Sequence, residues 1–306
     1  MSNRIVECVP NFSEGREAGT VRALIDAVRA VPGVAVLDHT MDPDHNRAVL
    51  TFAGAPEPVA EAAFQVAKTA TARIDLRRHQ GGHPRIGATD VVPFVPIRGV
   101  TMRDCVELAN IVGRRIGEEL KIPVFLYEQA ATHPARTNLA DIRRGGLSEL
   151  AARMAGDPAW TPDFGPPRLH PTAGATATGA RRILVAFNVN LGTNDLAIAK
   201  AIATAVRQSD GGLAHVKAIG VPLASRQHVQ VAMNLVNIDD TPVHVVFEAV
   251  RREAERRGVR VTGSELIGLV PRQALLQAEA QGLQIDCFDP SKILETRLEQ
   301  AGLEGV

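Results

Sequence analysis

The sequence predicts an α+β protein built of two ferredoxin-like halves, and three observations lead there. The chain has 306 residues, which is too long for one ordinary core and suits two domains of about 150 residues each. Along it the rhythm strand-helix-strand-strand-helix-strand occurs twice, the βαββαβ order of a mostly antiparallel sheet backed by helices on one face. Between the two runs lies a proline-rich segment that fits neither helix nor strand, so the expected domains are 1–178 and 179–306.

In the first half, Ile5 to Val9 reads as a strand and Ser13 as the cap of a helix that carries Val21, Leu24, Ile25 and Val28 on one face. Pro32-Gly33 stops that helix. Val34 to Leu37 and Ala48 to Phe52 follow as strands, joined by the polar connection Asp38 to Asn46. Pro58 to Ala72 is an alanine-rich helix, and Val91 to Val95 a strand. Thr101 with Asp104 three residues on has the form of a capping box, opening a helix whose apolar stripe is Cys105, Leu108, Ala109, Val112, Ile116 and Leu120. Val124 to Tyr127 closes the half as a strand.

The second half reads as strand Ile183 to Val189, a helix from about Thr193 to Arg207, strands Val216 to Val221 and Val229 to Val236, and helix Thr241 to Arg257. Two further strand-like runs, Val259 to Thr262 and Ile267 to Val270, complete it. Thr241-Pro242 is an N-cap followed by proline at the first helical position. The helical stripes are core and need no function.

The stretch Arg78 to Asp90 (RHQGGHPRIGATD) gathers two imidazoles, two guanidinium groups, a carboxylate and three glycines in one loop ahead of an apolar strand. Glycine lets a backbone approach another molecule closely, histidine exchanges protons near neutral pH, and a rigid strand holds the group in place. We read it as an active-site loop with His83 as the proton-transfer residue. His79 and His83 stand four residues apart, as helical metal ligands do, but Gly81, Gly82 and Pro84 oppose a helix there and no further ligands complete a set. No metal is expected. The plainer reading, histidines on a mobile surface loop, stays open, for His79 above all.

Basic and acidic residues number 34 each, and only 4% of residues are aromatic, which argues against a nucleic-acid partner. A pocket can still concentrate a few basic groups around an anionic small molecule. No run of eighteen apolar residues calls for a membrane. Cys8, Cys105 and Cys287 are far apart and odd in number, implying neither a disulfide framework nor a zinc ribbon. The N-terminus enters a strand-like run at once, so the expected location is the cytoplasm.

The segment Gly156 to Gly174 holds five of the chain's nineteen prolines and its only tryptophan. It is either a stiff linker or an ordered wall of a small-molecule cleft. Gly174 to Arg181 (GATATGAR) has the glycine spacing of a phosphate loop but ends in Ala-Arg where Lys and Ser or Thr are needed, and it precedes a strand instead of following one. Nucleotide triphosphate binding is rejected. No GxSxG, GxGxxG after a strand, or HExxH occurs.

Several longer words resemble one family when read together. Ile5 to Arg16 (IVECVPNFSEGR), Asn46-Arg47 through Thr51 to Gly54, the RHQGGHPRIGATDVVPF loop, Arg98 to Met102, Pro162 to Pro166 (PDFGP), and Gly174 to Arg181 are similar to glutamate formiminotransferase, from the first residues to about Gln281. The resemblance covers the transferase part only; in the bifunctional animal enzyme a helical cyclodeaminase follows. It implies two similar subdomains with a folate-binding cleft between them, and transfer of a formimino group from N-formimino-L-glutamate to the co-substrate tetrahydrofolate in histidine breakdown. By motif the family's catalytic histidine falls on His83, and its folate-binding stretch on Gly165, Pro166, Pro167, Arg168, Leu169, His170, Pro171, Thr172, Ala173 and Gly174. Asn11 of the opening motif joins it as a binding residue. Where the family has an acidic residue two positions beyond its counterpart of Asp38, this chain has Thr40, so Asp42 or Asp44 is the candidate substitute. Subunits of the family commonly pair, so a homodimer is expected. A separate cyclodeaminase partner is compatible with the sequence.

The chemistry suits the loop on its own terms. Attack of an aryl amine on an amidine carbon passes through a tetrahedral intermediate, in which the attacking nitrogen loses a proton and the departing nitrogen gains one. One imidazole with a pKa near ~6.5 serves both steps in turn. Arg85 is the candidate to hold substrate carboxylates. Asp90 either orients His83 or a substrate ammonium, or caps the following strand, and His79 is an auxiliary group of the loop. Two rival readings remain: an enzyme using 5-formyltetrahydrofolate in the same cleft, and a non-catalytic folate-binding module, against which the complete HPRIGATD loop speaks.

Overall fold

The structure, a computed structural model, describes residues 4–82, 84–223, 228–279, 283, 285–286 and 288–303. The chain divides into two units, Met1–Arg181 with Ala301–Val306 and Arg182–Gln300. The dividing point thus lies just beyond the boundary after residue 178 read from the sequence, because the strand holding Thr178 belongs wholly to the first unit.

In the first unit β1 (Ile5–Cys8) and β2 (Asn11–Phe12) are two pieces of one strand, interrupted at Val9-Pro10, where proline has no amide to give a ladder. Both pieces pair antiparallel with β4 (Arg47–Gly54) and with β5 (Thr89–Arg98), and β3 (Val34–Asp42) lies outside β4. Beyond β5 come β7 (Thr176–Ala180) and β6 (Val124–Glu128), in parallel pairs β5–β7 and β7–β6. One face is covered by α1 (Ala18–Arg29), α2 (Pro56–Arg73) and α3 (Met102–Glu119), whose apolar stripes meet Phe12, Phe52 and Phe94. Each fully buried phenyl there contributes about 1.5–3 kcal/mol. On the other face α4 (Leu139–Arg143), α5 (Gly146–Gly156) and Trp160 cover the β5–β7–β6 side, packing Ile142 and Leu150 against Val91, Phe125 and Ala177.

The second unit runs β8 (Val185–Leu191), α6 (Leu196–Val206), β9 (Val216–Leu223), β10 (His228–Leu235), α7 (Val243–Glu255) and β11 (Val261–Ile267), followed by α8 (Arg272–Glu279) and α9 (Leu294–Gln300). Its sheet has the order β11-β8-β10-β9 and is antiparallel throughout. Phe187, Val231 and Met233 form its core with Ile202, Val246 and Val250 from the helices. The protein is therefore mixed α and β, with two sheets in two units.

Several local expectations need correction. Helix α1 starts at Ala18 with Glu17 at its N-cap, too far along the chain for Ser13 to cap, and the Ser13 hydroxyl donates instead to the Gly87 carbonyl at 2.7 Å. Strand β3 runs on through the polar residues as far as Asp42, since an outer strand needs no alternation of apolar side chains to pair. Pro242 stands at the N-cap of α7, and the Thr241 hydroxyl donates instead to the Ala214 carbonyl at 2.7 Å. The two strand-like runs near the end of the second half are one strand, β11, centred on Gly263 and Ser264. The Thr101–Asp104 capping box is present, with the Asp104 amide 3.2 Å from the Thr101 hydroxyl. No helix among the described residues is long and apolar enough to cross a membrane.

Candidate active site

The glycine-rich loop between α2 and β5 is held from three sides. Its anchor is Asn46, a buried residue at the β3–β4 turn with the positive φ of 48° that asparagine tolerates. The Asn46 side chain accepts from the Gly15 amide at 2.9 Å and donates to the Gln80 carbonyl at 2.9 Å, while its carbonyl accepts from His79 Nε2 at 2.8 Å. A carbonyl only accepts, so His79 carries its proton on Nε2 and leaves Nδ1, buried with no partner among the described residues, as the bare nitrogen. Burial holds the His79 pKa below the usual imidazole value, so the ring is neutral at neutral pH. A Cβ on Gly81 would collide with the His45 carbonyl, which is why glycine stands there.

Arg85 reaches back across the loop, donating to the carbonyls of His79 at 3.0 Å and Gly81 at 3.4 Å. It braces the loop. Asp90 is re-aimed by a β-bulge, since β2 and β5 slip register between the pairs Asn11–Val91 and Phe12–Thr89. Its carboxylate turns back to accept from the Ile86 amide at 2.7 Å and from Arg143 Nε at 2.9 Å, an ion pair almost wholly out of solvent. His83 lies outside the described residues.

The stretch Gly165–Gly174 lies directly against this loop. Leu76 N donates to Thr172 O at 2.8 Å, Ala88 N to Ala173 O at 2.9 Å, and Ala175 N to Ile86 O at 2.8 Å, so three backbone bonds join segments about ninety residues apart. At the contact, Gly174 has φ +71° and a Cβ on it would strike the Ile86 carbonyl; a Cβ on Gly87 would strike that of Ala175. The tip is a tight turn in which His170 and Gly174 exchange backbone bonds of 2.9 and 3.0 Å. His170 Nδ1 accepts from the Ala173 amide at 3.0 Å and the Thr172 amide at 3.3 Å, and burial lowers its pKa. Leu169 packs on the Trp160 cluster, Pro166 is half-buried, and Pro167, Arg168 and Pro171 are exposed.

The start of the stretch is fixed by the PDFGP motif. Asp163 accepts from the Leu126 amide at 2.7 Å and from buried Arg136 at 3.0 Å, and Phe164 O accepts from Val124 N at 2.9 Å. Gly165 (φ +83°) then passes over Gly117 of α3, where a side chain on the helix would meet its amide at 2.6 Å.

Directly paired residues share a sheet face. The pairs Asp38–Thr51, Thr40–Val49 and Asp42–Arg47 therefore place those three β3 residues on the face opposite the Ala48, Leu50 and Phe52 core, together with Asn11, which pairs with Val49 and donates to the Val9 carbonyl at 3.1 Å. Burial would raise the Asp42 carboxyl, but the amide and ring of His45 outweigh it and hold it below its usual range. Asp44 sits exposed in the turn, its carbonyl 3.4 Å from the Gly82 amide.

Three charged residues escaped the sequence reading: Arg47, Arg143 and Glu7. Glu7 is the lone charge in the apolar run IVECV, and it is 5% exposed. Burial, opposed by the charge of Arg181, pushes its carboxyl up to about 7. In the second unit, Gln230 Nε2 donates to Asn190 at 2.8 Å and Glu265 at 2.6 Å, a polar network on the face away from that unit's core. Among the described residues no group of three or more His, Cys, Asp or Glu is placed to hold a metal ion.

Comparison with known proteins shows the family. Residues 5–181 match the formiminotransferase domain, N-terminal subdomain, and residues 186–290 match the formiminotransferase domain. The chain is 48% identical over 296 residues to the glutamate formimidoyltransferase of Streptococcus pyogenes serotype M1, covering 96% of this chain and 99% of that one. It is 46% identical over 298 residues to the protein of the same name from Thermoplasma acidophilum, covering 97% and 98%. It is 45% identical over 283 residues to the formimidoyltransferase-cyclodeaminase of Rattus norvegicus, covering 91% of this chain and 52% of that protein.

Proposed function

Because the chain belongs to the formiminotransferase family, we propose that its glycine-rich loop and the Gly165–Gly174 stretch form the working centre of a glutamate formimidoyltransferase. The enzyme transfers the formimino group of N-formimino-L-glutamate to tetrahydrofolate, releasing L-glutamate and forming 5-formiminotetrahydrofolate. The observation that carries this reading is the direct backbone joining of the loop that contains His83 to the stretch matching the family's folate site, through Ala88, Ala173, Ile86 and Ala175.

His83 is the general acid/base: it takes the proton of the attacking folate nitrogen and returns one to the departing glutamate nitrogen. Neutral His79 supports it by fixing the loop to Asn46. Asp38 and Asp42, which flank Thr40 on one sheet face, are the auxiliary carboxylates. Folate is the co-substrate and no metal takes part. The strand order β11-β8-β10-β9 favours a ferredoxin-like second subdomain, and the fused rat relative favours a separate cyclodeaminase as the next enzyme to act.

The test is an assay of the purified protein with tetrahydrofolate and formiminoglutamate, following glutamate release, beside one with 5-formyltetrahydrofolate. Turnover in the first is expected; turnover confined to the second would replace the donor.

A further inference from the structure

Arg85, the guanidinium that the sequence offers for a substrate carboxylate, is committed to the carbonyls of His79 and Gly81. A second cation lies beside the same loop. Arg47 opens β4 immediately after Asn46, the residue whose side chain and carbonyl hold Gln80 and His79. It is half-buried, and it shares the polar sheet face with Asn11, Asp38 and Asp42. Its backbone is fixed: a Cβ on the adjoining Gly15 would meet the Arg47 amide at 2.5 Å.

What sets Arg47 apart is its charge environment. Among the described residues its guanidinium makes no hydrogen bond and no ion pair. The groups that act on it are the Arg143 guanidinium and the carboxylates of Asp90 and Asp42. Both oxygens of Asp90 are already engaged, one by the Ile86 amide and the other by Arg143, and Asp42 is engaged by His45. Burial and the like charge of Arg143 both disfavour the protonated form of Arg47. A half-buried cation beside a second cation, with the nearest carboxylates occupied, is a place where an anion is bound strongly.

We propose that Arg47 anchors one carboxylate of the glutamate moiety of the formimino donor. The proposal rests on the formimino-transfer reading and names the binding residue for its donor. The α-carboxylate of formiminoglutamate is three bonds from the amidine carbon, so a carboxylate held next to Asn46 keeps the reacting carbon close to the loop that Asn46 supports. Arginine suits the task because its planar fork meets a carboxylate with two parallel hydrogen bonds, which lysine cannot do.

The experiment is calorimetry with L-glutamate on wild type, Arg47→Gln and Arg47→Lys, each with its melting temperature and its steady-state constants for both substrates. Loss of a charge-assisted bidentate contact should weaken glutamate binding and raise KM for formiminoglutamate by about 30-fold in Arg47→Gln and about 10-fold in Arg47→Lys, with tetrahydrofolate affinity within about threefold in both. L-Glutamine and the α-amide of L-glutamate each lack one carboxylate, and the probe whose affinity Arg47→Gln leaves unchanged lacks the one that Arg47 holds. If Arg47→Gln does not fold, Arg47→Lys decides alone. A wild type that binds glutamate and turns over, with folded variants that match it, overturns the anchor and leaves the function standing. A wild type that neither binds glutamate nor turns over formiminoglutamate overturns both.

Discussion

Asp90 accepts a hydrogen bond from the Ile86 amide at 2.7 Å, so the first residues of β5 tie down the end of the loop that precedes them. The same carboxylate holds Arg143, and both partners lie away from solvent. Removing one member of such a pair leaves an uncompensated buried charge, which costs about 3–5 kcal/mol. Asp90→Ala should lose that much in urea denaturation, and Asp90→Asn, which can still accept from Ile86, should fall between it and wild type. An Asp90→Ala protein as stable as Asp90→Asn would show that the Ile86 bond contributes nothing.

For His83→Ala we expect turnover to drop by at least about 100-fold, as loss of a general acid/base requires, with folate affinity kept within a few-fold. His79→Ala should lose less, because its neutral ring donates one hydrogen bond to Asn46 and so serves to hold the loop. Single-turnover rates with saturating substrates separate the two, and wild-type turnover in His83→Ala would remove the assignment.

Gly174→Ala places a methyl group against the Ile86 carbonyl at a φ of +71°, whereas Gly82→Ala meets nothing within 4 Å. The first should lower both stability and tetrahydrofolate affinity by roughly 2 kcal/mol or more, and the second should leave melting temperature unchanged. Equal behaviour of the two variants would mean that the loop and the Gly165–Gly174 stretch do not depend on their close approach.

Glu7 makes stability depend on pH. Its carboxyl titrates at about 7 in the folded protein against 4.5 for the free group, so the contribution is fully present below pH 4.5 and is lost as pH rises through 7. The loss is on the order of 3 kcal/mol. Glu7→Gln should match wild type near pH 4.5, exceed it by about that amount at pH 8, and show a flatter profile between, all measurable by denaturant titration at a series of pH values.

Legibility followed chemistry. Helix α3 was readable because apolar side chains recur at the helical period and a Thr-Asp pair caps it, α2 because it is rich in alanine, and β5 and β6 because each is a short, nearly continuous apolar run. Strand β7 was not, because Thr-Ala-Thr-Gly-Ala carries no large side chain. It runs under α3, where a Cβ on Gly113 would lie 2.8 Å from the Thr178 hydroxyl, so only small residues fit and the usual signal is missing. At the site, the glycines and histidines announced the loop and the Asp163–Phe164 motif announced the stretch. The use of each charge did not show: that Arg85 braces carbonyls while Arg47 makes no hydrogen bond or ion pair among the described residues depends on which segments meet across the sheet, and no spacing within one segment records it.

The order in which the strands are made differs from the order in which they stand. As synthesis proceeds, β1 to β6 are complete by Glu128, yet β6 is joined to the sheet through β7, which is made last and lies between β5 and β6. A nascent chain that has emerged only that far has one side of β5 and both sides of β6 open to other strands. Residues 165–174 meanwhile await the same closing step, since the bond that seats them beside Ile86 starts from Ala175, the residue just before β7. This contact therefore cannot form until β7 has been made. Its completion is a long-range event late in folding, of the kind that is slow and exposed to misassociation.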